Sequence, residues 1–219
     1  MEWNCRETEH YLLYCRPESL AEEHLEEIGD WQEKCYTRIS KALGVTMDKK
    51  IRLYLCTSRE EVEKETGCPP CNGMCLDYDL IFAVYNQETQ CLGPHEDAHL
   101  LSFQIAVPES VFLREGLAMY FDKAYHGKEN RAYAAEWVKE NTGVNVFSYL
   151  DNDQFYSLPE EMSYPLAGAL TEWLIDRYGM ESYKEFFRTN GDVQIAFEQK
   201  AEDLSAAFVS EMENSNESL

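Results

Sequence analysis

Residues 94–106 read Pro94-His-Glu-Asp-Ala-His-Leu-Leu-Ser-Phe-Gln-Ile-Ala106, and the character of the chain changes there. Before Pro94 the pattern mixes strands and helices. After it the pattern is almost entirely helical. Within the stretch, His95 and His99 are four residues apart, a spacing that puts both on one face of a helix. Both imidazoles can therefore point at one metal ion. Glu96 lies about 100° round the helix. From there its carboxylate can reach a metal-activated water without being a ligand. His95-Glu-Asp-Ala-His99 is thus an HExxH arrangement with its physical content in place.

Catalytic zinc takes three protein ligands and leaves one position for water, so a third ligand is needed. Sixteen residues past His99, inside a helical pattern, the segment Phe112-Leu-Arg-Glu-Gly-Leu-Ala118 supplies Glu115. Gly116 beside it lets that helix approach a neighbour closely, at some cost in helix propensity.

Working outward, Tyr11 to Cys15 is a short apolar run ended by Pro17 and reads as a strand. Ser19 with Glu22 forms a capping box. After it Leu20, His24, Ile28, Trp31, Cys35, Ile39 and Leu43 recur at helical spacing until Gly44. The Trp31, Cys35 and Ile39 stripe is read as core. Ile51 to Cys56 alternates as a strand does, and Ser58 with Glu61 caps a short helix. Gly67 to Gly73 is a loop, and Leu80 to Tyr85 is a third strand. Candidate helices follow near 94–106, 109–125, 131–141, 163–178, 181–189 and 192–199, then on to about 212, punctuated by Gly143, Asn152 and Gly179.

The expected fold is therefore α+β. A small sheet-and-helix lobe over 1–93 precedes a helical lobe over 94–212, which carries the HExxH helix and the third ligand, with the metal between them. Residues 213–219 form a polar, flexible tail.

At these residues the chain resembles the gluzincin zinc metallopeptidases, in the branch called peptidase MA-like. The resemblance is carried by His95-Glu-Asp-Ala-His99 and Glu115-Gly-Leu-Ala118. Tyr164-Pro-Leu-Ala-Gly-Ala-Leu-Thr-Glu-Trp-Leu-Ile-Asp-Arg-Tyr-Gly179 is similar to a helix that follows in that family, as is the strand-helix-strand start from Tyr11 to Cys56. It implies a thermolysin-like site in which His95, His99 and Glu115 bind Zn²⁺. Glu96 would be the general base and then the acid toward the leaving amine. Tyr164, heading the matching helix, would donate to the oxyanion, with Tyr156 and His126 as alternatives. Asp122, seven residues past Glu115, could orient a ligand imidazole. Leu80 to Tyr85 is read either as an ordinary core strand or as an edge strand that would bind extended peptide, as in similar enzymes. Two positions depart from the family pattern. Phe112 stands where Trp is more usual, and Asp97 stands where an apolar residue is usual. Asp97 is read as facing solvent or hydrogen-bonding a neighbour.

The substrate so implied is a peptide or protein. Two other readings stay open: a non-catalytic peptide-binding module of this fold, and a hydrolase of a non-peptide amide or ester.

Composition narrows the partners. With 219 residues the chain can bury a core without staples. Acids number 41 against 19 bases, a formal charge of −22. That field repels phosphate backbones and anionic membranes and favours basic or neutral substrates, so nucleic acid and membrane partners are not expected. No apolar run approaches the roughly 18 to 20 residues of a membrane span. No basic segment followed by an apolar one opens the chain, so a cytoplasmic location is expected. All eight cysteines lie between Cys5 and Cys91 and are expected as reduced thiols. Cys68-Pro-Pro-Cys-Asn-Gly-Met-Cys75 could grip a structural zinc with Cys56 or Cys91, form a disulfide, or remain plain thiols.

Overall fold

Strand alternation organises the first part of the chain. In the computed structural model, which describes residues 2–214, five strands form one sheet: β1 (Asn4–Glu7), β2 (Tyr11–Cys15), β3 (Ile51–Cys56), β4 (Gly73–Leu76) and β5 (Leu80–Val84). Their order is β1-β2-β3-β5-β4. β2, β3 and β5 run parallel, and β1 and β4 are antiparallel to their neighbours. Tyr11, Leu13 and Cys15 of β2 and Ile51, Leu53 and Leu55 of β3 are buried, while the residues between them are half-buried. The period of two thus assigns one face of the sheet to the core.

Both expected capping serines start helices. α1 (Leu20–Glu23) starts after Ser19, whose Oγ accepts from the Glu22 N–H at 3.3 Å. α3 (Arg59–Thr66) starts after Ser58, whose Oγ accepts from the Glu61 N–H at 3.3 Å. Each glutamate reaches back one residue beyond the cap, to the N–H of Glu18 and of Thr57. His24 breaks the long periodic run, so that α2 (Leu25–Leu43) is a separate helix ended by Gly44 in the left-handed region. Ile28, Cys35, Ile39 and Leu43 are buried as expected, but Trp31 is 50% exposed and is not core. At 100° per residue it lies about 60° round the helix from Ile28, at the margin of the buried face.

The first unit runs over Met1–Gln104 and the second over Ile105–Leu219. The division therefore falls after Gln104 and not at Pro94. The reason is packing: α4 (Pro94–Ser102) lies against α2 and β4 and so belongs to the first unit. Two strands were not foreseen. β1 is the polar Asn-Cys-Arg-Glu, and β4 follows directly on the Pro- and Cys-rich loop. As a result β5 is interior and β4 is the edge strand, contrary to the reading of Leu80 to Tyr85 as the edge.

The second unit is helical apart from a small hairpin. It comprises α5 (Val111–Asp122), β6 (Ala124–Tyr125), β7 (Lys128–Glu129), α6 (Asn130–Glu140), a 3-10 turn at Val146–Leu150, α7 (Asn152–Ser157), α8 (Glu160–Arg188), α9 (Val193–Phe197) and α10 (Ala201–Asn214). α5 and α8 meet at Gly116. A Cβ there would lie 2.6 Å from Thr171 Oγ1 and 2.9 Å from the Ala167 carbonyl, which confirms the close approach expected of this glycine. α8 is interrupted at Gly179, where φ is +82°. Glu213 and Asn214 are the last residues of α10; the remainder of the expected tail, 215–219, lies outside the described residues. Among the described residues no helix is long and apolar enough to cross a membrane.

One ionic knot ties β2 to α3. The buried Arg16 guanidinium donates to Glu61 and Glu65, both at 2.6 Å, and lies over the Trp3 ring at 3.6 Å. Burial would raise the Glu61 carboxyl, but hydrogen bonds from Thr57 and Arg16 outweigh it and hold the group below its ordinary range. Removing one partner from a buried pair costs about 3–5 kcal/mol, so Arg16→Ala should lose that much stability in urea unfolding at neutral pH. A lowered carboxyl contributes stability above its unfolded pKa and loses it as pH falls. The gap between wild type and variant should therefore narrow on acidification below about pH 4.5. For Gly116→Ala, where the obstacle includes backbone, thermal unfolding should report a loss of about 1–3 kcal/mol.

Candidate metal centre

α4 opens on Pro94 at the first helical position, where the missing N–H has no helical partner to lose. His95 and His99 follow one turn apart, with ring centroids separated by 5.0 Å and planes at 81°. His99 is buried, and His95 and Glu115 are half-buried. One ligand atom from each of His95, His99 and Glu115 lies within 4.8 Å of the other two. Among the described residues this is the one group of three or more His, Cys, Asp or Glu side chains that converges in this way.

Two imidazole nitrogens and a carboxylate oxygen are a donor set that zinc accepts. Atoms bound about 2 Å from an ion stand at most about 4 Å apart. Two imidazoles and one carboxylate are the donor types such a site uses. The donors thus fit the metal that the motif implies.

Glu96 is placed by a residue that sequence reading took only for the end of a loop. A Cβ on Gly73, the first residue of β4, would lie 2.9 Å from Glu96 Oε1 and 2.7 Å from Cys91 Sγ. The absent side chain is what allows the Glu96 carboxylate to lie against the edge strand. No periodicity signals such a requirement; only the close approach reveals it.

Asp97 does not face solvent. It is fully buried. Tyr11 donates its hydroxyl to Oδ2 at 2.7 Å, and Gln32 donates Nε2 to the same oxygen at 3.1 Å. The Gln32 carbonyl oxygen in turn accepts the Gly93 N–H at 3.0 Å. Oδ1 is buried with no hydrogen-bond partner. Burial pushes the Asp97 carboxyl up to about 8 against the opposing Tyr11 hydrogen bond, with further help from the charges of Glu96 and Glu33.

The remaining candidates lie in the second unit. Tyr164 is the fifth residue of α8, one turn inside the helix that it was expected to head, and is half-buried, its ring centroid 5.8 Å from that of Phe155. Tyr156 on α7 is 68% exposed. His126 is exposed in the tight turn between β6 and β7, with φ at +48°. Asp122 is the last residue of α5 and is half-buried.

Among the described residues no group of three or more ligand side chains that includes a cysteine converges, and no disulfide joins the eight cysteines. Cys71 packs instead against an apolar cluster of Cys56, Val62, Phe82 and Val84. Burial, with Glu61 and Glu65 nearby, pushes the Cys56 thiol up to about 12. Burial raises Cys71 too, followed by the charges of Glu96 and Cys68.

No known protein family matches the chain, and no curated protein matches it.

Proposed function

We propose that this protein is a zinc-dependent metallopeptidase of gluzincin type. The observation that carries the reading is the convergence of His95, His99 and Glu115 within 4.8 Å on a sequence that also supplies Glu96 as a base. His95, His99 and Glu115 would hold the ion. Bound zinc acts as a Lewis acid toward a carbonyl oxygen and makes a neighbouring water more acidic. The chain's own part is proton handling. Glu96 accepts the proton of the attacking water and returns it to the departing amine. Tyr164 is the proposed donor to the oxyanion.

A peptide is favoured over a small amide or ester by one feature. β4 is an edge strand, and among the described residues no strand pairs with its outer side. An extended peptide can add there by main-chain hydrogen bonds, alongside the strand that Glu96 lies against. The net charge of −22 favours neutral or basic peptides over acidic ones.

Zinc content per chain, measured side by side on wild type, His99→Ala and Glu96→Gln, tests the reading. Wild type should carry roughly one zinc, His99→Ala should lose it, and Glu96→Gln should keep it. Peptide-library hydrolysis by Glu96→Gln should fall by about 10²- to 10⁴-fold. Equal metal in wild type and His99→Ala would overturn the site. Peptide binding without cleavage by zinc-loaded wild type would favour the binding module.

Gly73→Ala probes the base separately. The obstacles to a Cβ are side-chain ends, so stability should change by no more than about 1 kcal/mol. Glu96 should be displaced, and a misplacement of about 1 Å costs about 10²-fold in rate. Zinc content should be unchanged. A wild-type rate in this variant would show that catalysis does not depend on Glu96 lying at β4.

A further inference from the structure

Asp97, Gln32 and Tyr11 form a polar strap inside the apolar layer of the first unit. Asp97 follows Glu96 on α4, Gln32 lies on α2 and Tyr11 on β2. All three are buried. Gln32 is held at both ends of its amide. Its nitrogen donates to Asp97 Oδ2 at 3.1 Å, and its oxygen accepts the Gly93 N–H at 3.0 Å. Gly93 is the residue just before α4, and Asp97 closes the first turn. One side chain therefore grips the turn at its beginning and its end, and His95 and Glu96 stand between the two grips. Tyr11 donates to the same Asp97 Oδ2 at 2.7 Å, and its hydroxyl also lies 3.2 Å from the main-chain carbonyl of Gln32.

A buried carboxyl is costly unless donors replace water. An apolar residue at position 97 would fill the same layer without that cost. It would leave the Gln32 amide nitrogen without this acceptor and the Tyr11 hydroxyl with only the longer contact to the Gln32 main-chain carbonyl, and the grip on Gly93 would lose its orientation. The polar choice makes physical sense if the gain is the direction of the turn.

We propose that Asp97, acting through Gln32 and Tyr11, is the positioning residue of the candidate metal site and sets the placement of the first turn of α4. The inference rests on the reading of His95 and Glu96 as site residues for its functional consequence. The strap itself can be tested without metal.

Two measurements on Asp97→Leu, Asp97→Asn and Gln32→Leu separate these. The first is hydrogen exchange of residues 93–99 in zinc-free protein. The second is zinc affinity by chelator competition. Asp97→Leu and Gln32→Leu should speed exchange in this turn while exchange in β2 and β3 stays near wild type. Both should weaken zinc about 10-fold or more, in line with groups that orient ligands from outside the coordination shell. Asp97→Asn keeps an oxygen for Tyr11 and Gln32 and should restore both readouts, a rescue that mere filling of volume would not give. Wild-type exchange and wild-type zinc affinity in a folded Asp97→Leu would overturn the proposal. If Asp97→Leu does not fold, Gln32→Leu decides on the same two readouts. Should wild type bind no zinc, the metallopeptidase reading falls, and the exchange result still decides whether the strap holds the turn.

Discussion

The buried carboxyl of Asp97 is the constraint around which the first unit is arranged. Taking a carboxyl out of water costs several kcal/mol unless donors replace the solvent. The donors here come from β2 and α2, through Tyr11 and Gln32. Each partner brings its own element to a set distance from α4. The surrounding Leu13, Ile28, Ile39 and Leu53 are buried and supply the larger, non-directional part of the stabilisation. Hydrogen bonds have direction, so the strap sets where along its axis α4 comes to rest.

The far side of α4 meets a different constraint. β4 is short and lies at the edge of the sheet, and its first residue has no side chain. Glu96 uses that space, as does Cys91. The turn carrying His95 and Glu96 is thus held from within by polar bonds and accommodated outside by a missing Cβ. A carboxylate set beside an unpaired strand edge suits work on an extended backbone, which is the physical ground for preferring a peptide substrate.

The second unit solves its placement problem by size. Gly116 of α5 meets Thr171 and Ala167 of α8, and Gly168 of α8 meets Met119 and Asn130. Small residues let two helices approach until backbone and side chain touch, and interiors packed this closely resist displacement. Glu115 adjoins the first of these contacts, where α5 has little freedom to shift.

How much of this was legible follows from the range of each interaction. The caps at Ser19 and Ser58, the alternation in β2 and β3, the stop at Gly44 and the i, i+4 spacing of His95 and His99 all depend on residues a few positions apart. The sequence by itself therefore determined the α+β class, most helices, and the placing of His95 and His99 one turn apart on α4. Tertiary structure alone decided that Asp97 is inside, because its partners lie 86 and 65 residues away in the chain. It alone decided that β4 is the edge, that Trp31 is exposed, that Gly73 makes room for Glu96, and that α4 belongs with the sheet. Local periodicity says which face of an element is apolar. It does not say which element covers that face, because coverage is set by contacts between residues far apart in the chain.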